Sequence, residues 1–168
     1  MKIGIPREIK VLEGRVALTP NASRELVNNG HDVFIERSAG LLSGYPDSEY
    51  AKAGAMILDT AKALYDSAKL IVKVKEPQKE ELKYLRKDHI LFSFLHLAAE
   101  PDLTQSLLDI GLTAVAFETV TVNKQLPLLA PMSDIAGRIA IQIGAQLLHQ
   151  PQGGRGILLG GVTATDTE

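Results

Sequence analysis

Four polar residues each stand just past the end of a short apolar run: Arg15, Lys75, His96 and Glu118. Their types suggest one kind of chemistry. Arg15 can grip a carboxylate through two parallel hydrogen bonds. Lys75 can hold a second carboxylate oxygen or polarise a carbonyl. His96 can move a proton near neutral pH. Glu118 can position Lys75 or a substrate amine. Together they suit a small 2-oxo or 2-amino acid.

Each residue also has a plainer reading. Arg15 follows Glu13 and reads equally as a solvated loop charge. Lys75 stands beside Glu76, and a surface ion pair of that kind contributes little. Glu118 can cap the turn that follows it. His96 lies between Leu95 and Leu97 in an apolar stretch, so it is expected to be largely buried, and a buried histidine is often only a satisfied core residue.

The elements that must position these side chains are legible as an alternation. Strand-like runs fall at residues 2–5, 31–35, 55–58, 69–74, 89–95 and 112–117, and most are separated by segments of helical spacing. Thr19-Pro20 offers an N-cap and a first-turn proline, and Asn29-Gly30 offers a stop. Asp59 is expected to cap a helix running to Tyr65. Helices are also expected at 78–86 and at 101–110, the latter stopped by Gly111. Six strands joined by helices predict an α/β fold with a mainly parallel, doubly wound sheet. Such a sheet gathers its ligand-binding residues at the carboxyl ends of its strands, and Arg15, Lys75, His96 and Glu118 follow four of them.

The chain then changes character. Ile135, Ile139, Ile143 and Leu147 recur every fourth residue, opposite Asp134, Arg138, Gln142 and Gln146, which predicts one long helix over 133–149 with Ser133 as its N-cap. Residues 151–168 read as a loop and a polar tail, expected to be poorly ordered from residue 163. The expected division is a substrate domain at 1–131, a connecting helix at 132–150, and the loop and tail.

Composition narrows the classes. The 168 residues carry 45% hydrophobic residues and a net charge of -2, with no cysteine. Disulfides, thiolate metal sites and a cysteine nucleophile are excluded. A near-neutral chain without a basic stripe is not expected to bind nucleic acid. No apolar run approaches the roughly 20 residues that span a bilayer, and the expected location is the cytoplasm. Gly154-Arg155-Gly156 departs from the G-x-G-x-x-G spacing and lacks a preceding strand. Zinc-peptidase, serine-hydrolase and P-loop motifs are absent from the sequence.

Several ordered motifs resemble the alanine dehydrogenase family, which is related to the first part of nicotinamide nucleotide transhydrogenase. They are Ile3-Gly4-Ile5-Pro6-Arg7-Glu8, Arg15-Val16-Ala17-Leu18-Thr19-Pro20, Val72-Lys73-Val74-Lys75-Glu76-Pro77, Leu95-His96-Leu97-Ala98-Ala99 and Leu129-Ala130-Pro131-Met132-Ser133. The histidine in the fourth motif favours alanine dehydrogenase over transhydrogenase. The resemblance implies oxidative deamination of L-alanine to pyruvate and ammonia with NAD as acceptor. It implies that Arg15 and Lys75 bind substrate, that His96 transfers a proton and that Glu118 braces the lysine. It places Met132 and Ser133 at the edge where the family's two domains meet.

The family's dinucleotide turn would follow where residues 163–168 stand, so the chain is expected to be the substrate-binding front part of such an enzyme. It is expected to bind no NAD and to be inactive alone. The alternatives are a stand-alone module for a pyruvate-like anion, or an assembly partner of full-length subunits. A homo-oligomer formed through the 133–149 helix is expected.

Overall fold

The computed structural model describes residues 1–160. The tail expected from residue 163 lies outside the described residues. Two compact units divide the chain, Met1–Thr119 and the residues from Val120 onward.

The first unit is built on six strands: β1 (Lys2–Ile5), β2 (Asp32–Glu36), β3 (Met56–Leu58), β4 (Leu70–Val72), β5 (Ile90–Ser93) and β6 (Thr113–Ala116). Every pairing is parallel, in the order β3-β2-β1-β4-β5-β6. The helices between them are α1 (Pro20–Asn28), α2 (Asp47–Lys52), α3 (Ala61–Ser67), α4 (Lys79–Leu82) and α5 (Pro101–Ile110). The chain winds outward from β1 to β3, returns across β1 through α3, and continues through β4 to β6. The α/β class and the parallel sheet expected from the alternating pattern are both present.

Alternation along the strands divides the core between two faces. Val33 and Ile35 join Ile5 and Tyr50 on one face, with Leu26 and Val27 of α1 packed against them. Phe34 points the other way, to Leu64, Tyr65, Ile71, Leu91, Leu103 and Leu107. Helix α3 packs across β1 and β2 on that second face. Gly4 is what lets it approach: a Cβ there would stand 2.7 Å from Ala68 Cβ and 3.0 Å from Leu64 Cδ2.

The helix ends show which local signals operate. The Thr19 hydroxyl accepts from the Ala22 N–H at 3.3 Å, with Pro20 in the first turn. Helix α5 ends at Gly111, whose φ of +73° is the left-handed stop that glycine adopts without strain. Asp59 does not cap α3. Thr60 does, accepting from Ala63 N–H at 3.2 Å, while the Asp59 carboxylate binds Arg37 Nε at 2.6 Å. The hydroxyl one residue nearer the helix takes the cap, and the longer-range ion pair takes the aspartate. Helix α2 was not expected; its Asp47 and Glu49 favour the first turn.

One buried network ties the carboxyl ends of β1 and β4 together. Lys73 follows β4 and is fully buried. Its Nζ lies 2.7 Å from Glu81 Oε1 and 3.1 Å from Glu8 Oε2. Tyr65 donates to Glu81 Oε1 at 3.0 Å, and the Gln78 N–H donates to Glu81 Oε2 at 2.8 Å. Glu8 Oε1 accepts from the Val74 N–H at 2.6 Å. Burial pushes the Glu8 carboxyl above its usual range, against the pull of Lys73 and the Val74 amide.

His89 is a second buried polar group, and a structural one. Its Nδ1 accepts from the Arg86 N–H at 3.1 Å, so its Nε2 donates to the Tyr65 carbonyl at 3.0 Å. Both nitrogens are used by the neutral ring. Burial first, and Arg86 second, push its pKa below 6.5.

In the second unit, helix α6 (Ala130–Leu147) begins three residues before the expected Ser133. Leu129 is its N-cap and Pro131 sits in the first turn, where proline's missing N–H is harmless. Its end falls two residues short of His149, whose N–H turns back to Gln146 O at 3.1 Å. No described helix is long and apolar enough to cross a membrane.

Two outcomes follow from these buried groups. Lys73→Met leaves two buried carboxylates without their cation and should cost about 3–5 kcal/mol in urea unfolding at neutral pH; a loss under about 1 kcal/mol would show that the network is not needed. His89 has a depressed folded pKa, so its contribution is complete above about pH 6.5 and is lost as pH falls through the folded value. The stability advantage of the wild type over His89→Gln should therefore shrink between pH 7.5 and pH 5; a constant difference would contradict this.

Candidate functional site

The strand order reverses at β1 and β4, and this is where an open parallel sheet forms its ligand crevice. Three of the expected residues meet at that edge. The Lys75 Nζ stands 3.2 Å from His96 Nε2. The Glu118 carboxylate accepts from the His96 N–H at 2.7 Å and from the Leu95 N–H at 3.2 Å. Glu118 thus braces the histidine through its backbone; the expected grip on Lys75 is not what its carboxylate makes. The carboxylate beside Lys75 is Glu76, with Oε2 at 3.6 Å.

His96 corrects an expectation. It is exposed, although its leucine neighbours suggested burial. The strand β5 ends at Ser93, so the inward-outward alternation no longer governs residue 96. The backbone there turns left-handed, with φ +51° and ψ +34°. A non-glycine residue in that region is held by its surroundings, and Glu118 supplies the hold on its N–H. The imidazole is stacked on Phe94, with centroids 6.4 Å apart. Phe117 packs edge-on against both Phe94 and Phe92, so the ring rests on a fixed aromatic ledge.

Arg15 lies on the loop after β1. Its Nε and Nη2 donate to the Glu13 carboxylate at 2.9 and 2.6 Å. The Arg15 guanidinium holds the Glu13 carboxyl below its usual range, and Lys75 adds to that pull. Arg7, Glu8, Glu13, Arg15, Ser38 and Leu42 line a cleft of about 470 Å³. His96, Leu97, Ala116, Glu118 and Thr119 line a second of about 340 Å³. Lys75 is bonded to a residue of each: its N–H donates to Glu8 Oε1 at 3.4 Å, and its Nζ meets His96. Two cations, an imidazole and a carboxylate thus share one strand-end edge.

Met132 and Ser133 fall in the first turn of α6, in the second unit. Met132 is half-buried and Ser133 exposed.

Lys73, Glu81 and Glu76 were not singled out from the sequence. A signal was available for Lys73. It shares parity with Ile71, which faces the α3 side of the sheet, so its ammonium had to point into the core and required buried carboxylates.

The residues of this sheet do not fit a nicotinamide dinucleotide. That ligand needs a glycine-rich turn leading directly from strand to helix, so that backbone amides meet the pyrophosphate. After β1 the chain presents Arg7 and Glu8, and α1 begins only at Pro20. The amides of Val74 and Lys75 are already taken by the Glu8 carboxylate. Among the described residues no cluster of three His, Asp or Glu side chains is placed to hold a metal ion.

Residues 4–136 match the family model described as alanine dehydrogenase/PNT, N-terminal domain. The chain is 55% identical over 162 residues to an alanine dehydrogenase of Bacillus subtilis, covering 96% of this chain and 43% of the relative. It is 53% identical over 167 residues to one of Methanococcus maripaludis, covering 99% of this chain and 45% of the relative. A solved L-alanine dehydrogenase superposes with a TM-score of 0.90 at 51% identity, over 99% of this chain and 46% of that one. A transhydrogenase from Sinorhizobium meliloti gives 0.65 at 33% identity, over 69% of this chain. The chain therefore spans less than half the length of the alanine dehydrogenases it matches. On the family match and the shared fold, this chain belongs to the alanine dehydrogenase/PNT N-terminal domain family.

Proposed function

We propose that this chain is the substrate-binding part of an alanine dehydrogenase, which converts L-alanine, NAD and water to pyruvate, ammonia and NADH. The observation that carries the reading is the Lys75–His96 contact of 3.2 Å at the strand ends where the sheet order reverses. Lys75 and Arg15 supply positive charge for the substrate carboxylate, and His96 moves the proton. Glu118 fixes the backbone from which His96 projects. Met132 and Ser133 are assigned a substrate-binding role by resemblance. The alanine dehydrogenases matched by the chain support the substrate class. NAD would be the hydride acceptor, held by residues other than those of this sheet. Cytoplasmic location is part of this reading.

The half-reaction partner pyruvate provides the test. Titrated into the chain, it should shift the His96 ring resonances saturably. Lys75→Met and Arg15→Met should each weaken that binding by about tenfold or more, as expected when a charge-assisted hydrogen bond is lost. No shift at tens of millimolar pyruvate would sink the reading.

A second reading concerns assembly. Ile135, Ile139, Ile143 and Leu147 of α6 are 47–60% exposed, which forms an aliphatic stripe along four turns. This favours a homo-oligomer that buries the stripe between copies. Light scattering should give a mass above the monomer, lowered by Ile139→Glu. A strictly monomeric wild-type chain would remove this reading.

A further inference from the structure

Lys75 has two neighbours, and it cannot bond both in every protonation state. An ammonium only donates, so its 3.2 Å contact requires His96 Nε2 to be the unprotonated nitrogen of a neutral ring. The 3.6 Å contact to Glu76 Oε2 is too long for a hydrogen bond. Glu76 is only 6% exposed in its side chain. Its Oε1 is bonded to Lys10 and receives the Gln78 side-chain amide at 3.4 Å. Its Oε2 is buried without any hydrogen bond. A buried carboxylate oxygen without a donor is costly, and such an atom calls for an explanation.

Protonation of His96 supplies one. A proton on Nε2 turns the acceptor into a charged donor facing the Lys75 ammonium. The contact then becomes repulsive, and Lys75 must leave it. Glu76 Oε2 lies within an ångström of hydrogen-bond distance and is unfilled. Its carboxyl is held below the usual range: burial pushes it up, but Lys10, the Glu76 backbone amide and Lys75 together outweigh that. It therefore meets the lysine as a carboxylate.

We infer that Glu76 is a positioning residue for proton transfer at His96, its Oε2, which carries no hydrogen bond, receiving one from the Lys75 ammonium whenever His96 carries the extra proton. The inference rests on the reading of His96 as the proton carrier. The proton leaves an O–H or N–H bond of water or substrate, whose electron pair stays on the donor atom, and forms Nε2–H; Lys75 stays an ammonium, and only its acceptor changes. The lysine thus keeps its place in the cleft, and its charge, in both states of the histidine.

The surrounding charges are few enough to separate. Glu118 faces His96 but bonds its backbone N–H. Glu13 lies within Coulomb reach of Lys75. Lys10 holds the far oxygen of Glu76, and Lys79, Glu100 and Asp102 line the cleft of about 640 Å³ beside it.

NMR on the wild-type chain without ligand tests the exchange. The Glu76 side-chain carboxyl resonance should titrate with the same midpoint as the His96 ring. Glu76→Gln, with its fold checked by amide spectra, should lower the His96 midpoint by about half a unit or more. That shift should fall below half its size in the Lys75→Met background, since the effect passes through the lysine. A Glu76 resonance that ignores His96 would overturn the inference even if the variants fail to fold. So would a Glu76→Gln shift of equal size with and without Lys75, which is plain charge attraction. Neither measurement contains pyruvate, so the inference and the proposed function fail separately.

Discussion

A charged ammonium with no solvent-exposed surface persists only if carboxylates replace its water, and Lys73 is such a group. Glu8 reaches it from the turn after β1, and Glu81 reaches it from α4. Those two carboxylates are then committed to more than the lysine. Glu8 also accepts from the Val74 and Lys75 amides, so the chain leaving β4 is fixed to the chain leaving β1. Glu81 fixes the start of α4 and the Tyr65 hydroxyl, whose ionisation is pushed up by burial and by Glu81 itself. The crevice edge is therefore a bonded junction. Lys75 is aimed into the cleft because the residue two before it is anchored beneath.

What the sequence revealed depended on how local the cause was. Short apolar runs set between segments of helical spacing marked all six strands, because a sheet covered by helices on both faces buries both sides of its inner strands. Thr19-Pro20 and Gly111 marked real helix ends, because caps act within a few residues. Where the choice depended on a distant partner, the reading slipped. Asp59 looked like a cap, but Arg37, far from it in sequence, claims its carboxylate. Ser133 looked like an N-cap, yet the helix starts at Ala130 because Pro131 suits a first turn. His96 looked buried, since no sequence pattern announces that β5 stops at Ser93 and the backbone turns left-handed at residue 96.

The site divides in the same way. Arg15, Lys75, His96 and Glu118 could be picked out because each follows a strand, and parallel strands bring their ends to one edge. The partners within the site could not. Glu118 goes to backbone amides, which have no sequence signature, so its service to His96 was hidden. Glu13 takes the Arg15 guanidinium from only two residues away, where the sequence suggested a solvated charge.

Lys73 and Lys75 show how one strand end can supply two unlike lysines. Residues of equal parity leave a regular strand on the same face, and both would point into the core if β4 continued. It ends at Val72. The chain bends at Val74 and Lys75, whose amides donate to Glu8. Lys73 stays inside, saturated by two carboxylates. Lys75, 19% exposed in its side chain, emerges beside His96 and against one oxygen of Glu76. The first lysine has no freedom to exchange partners, because its carboxylates are bonded on every side. The second has a neutral ring nitrogen on one hand and an unfilled carboxylate oxygen on the other. A cation meant to follow a moving proton needs that second kind of surroundings, and rigid surroundings of the first kind are what hold its two acceptors within reach.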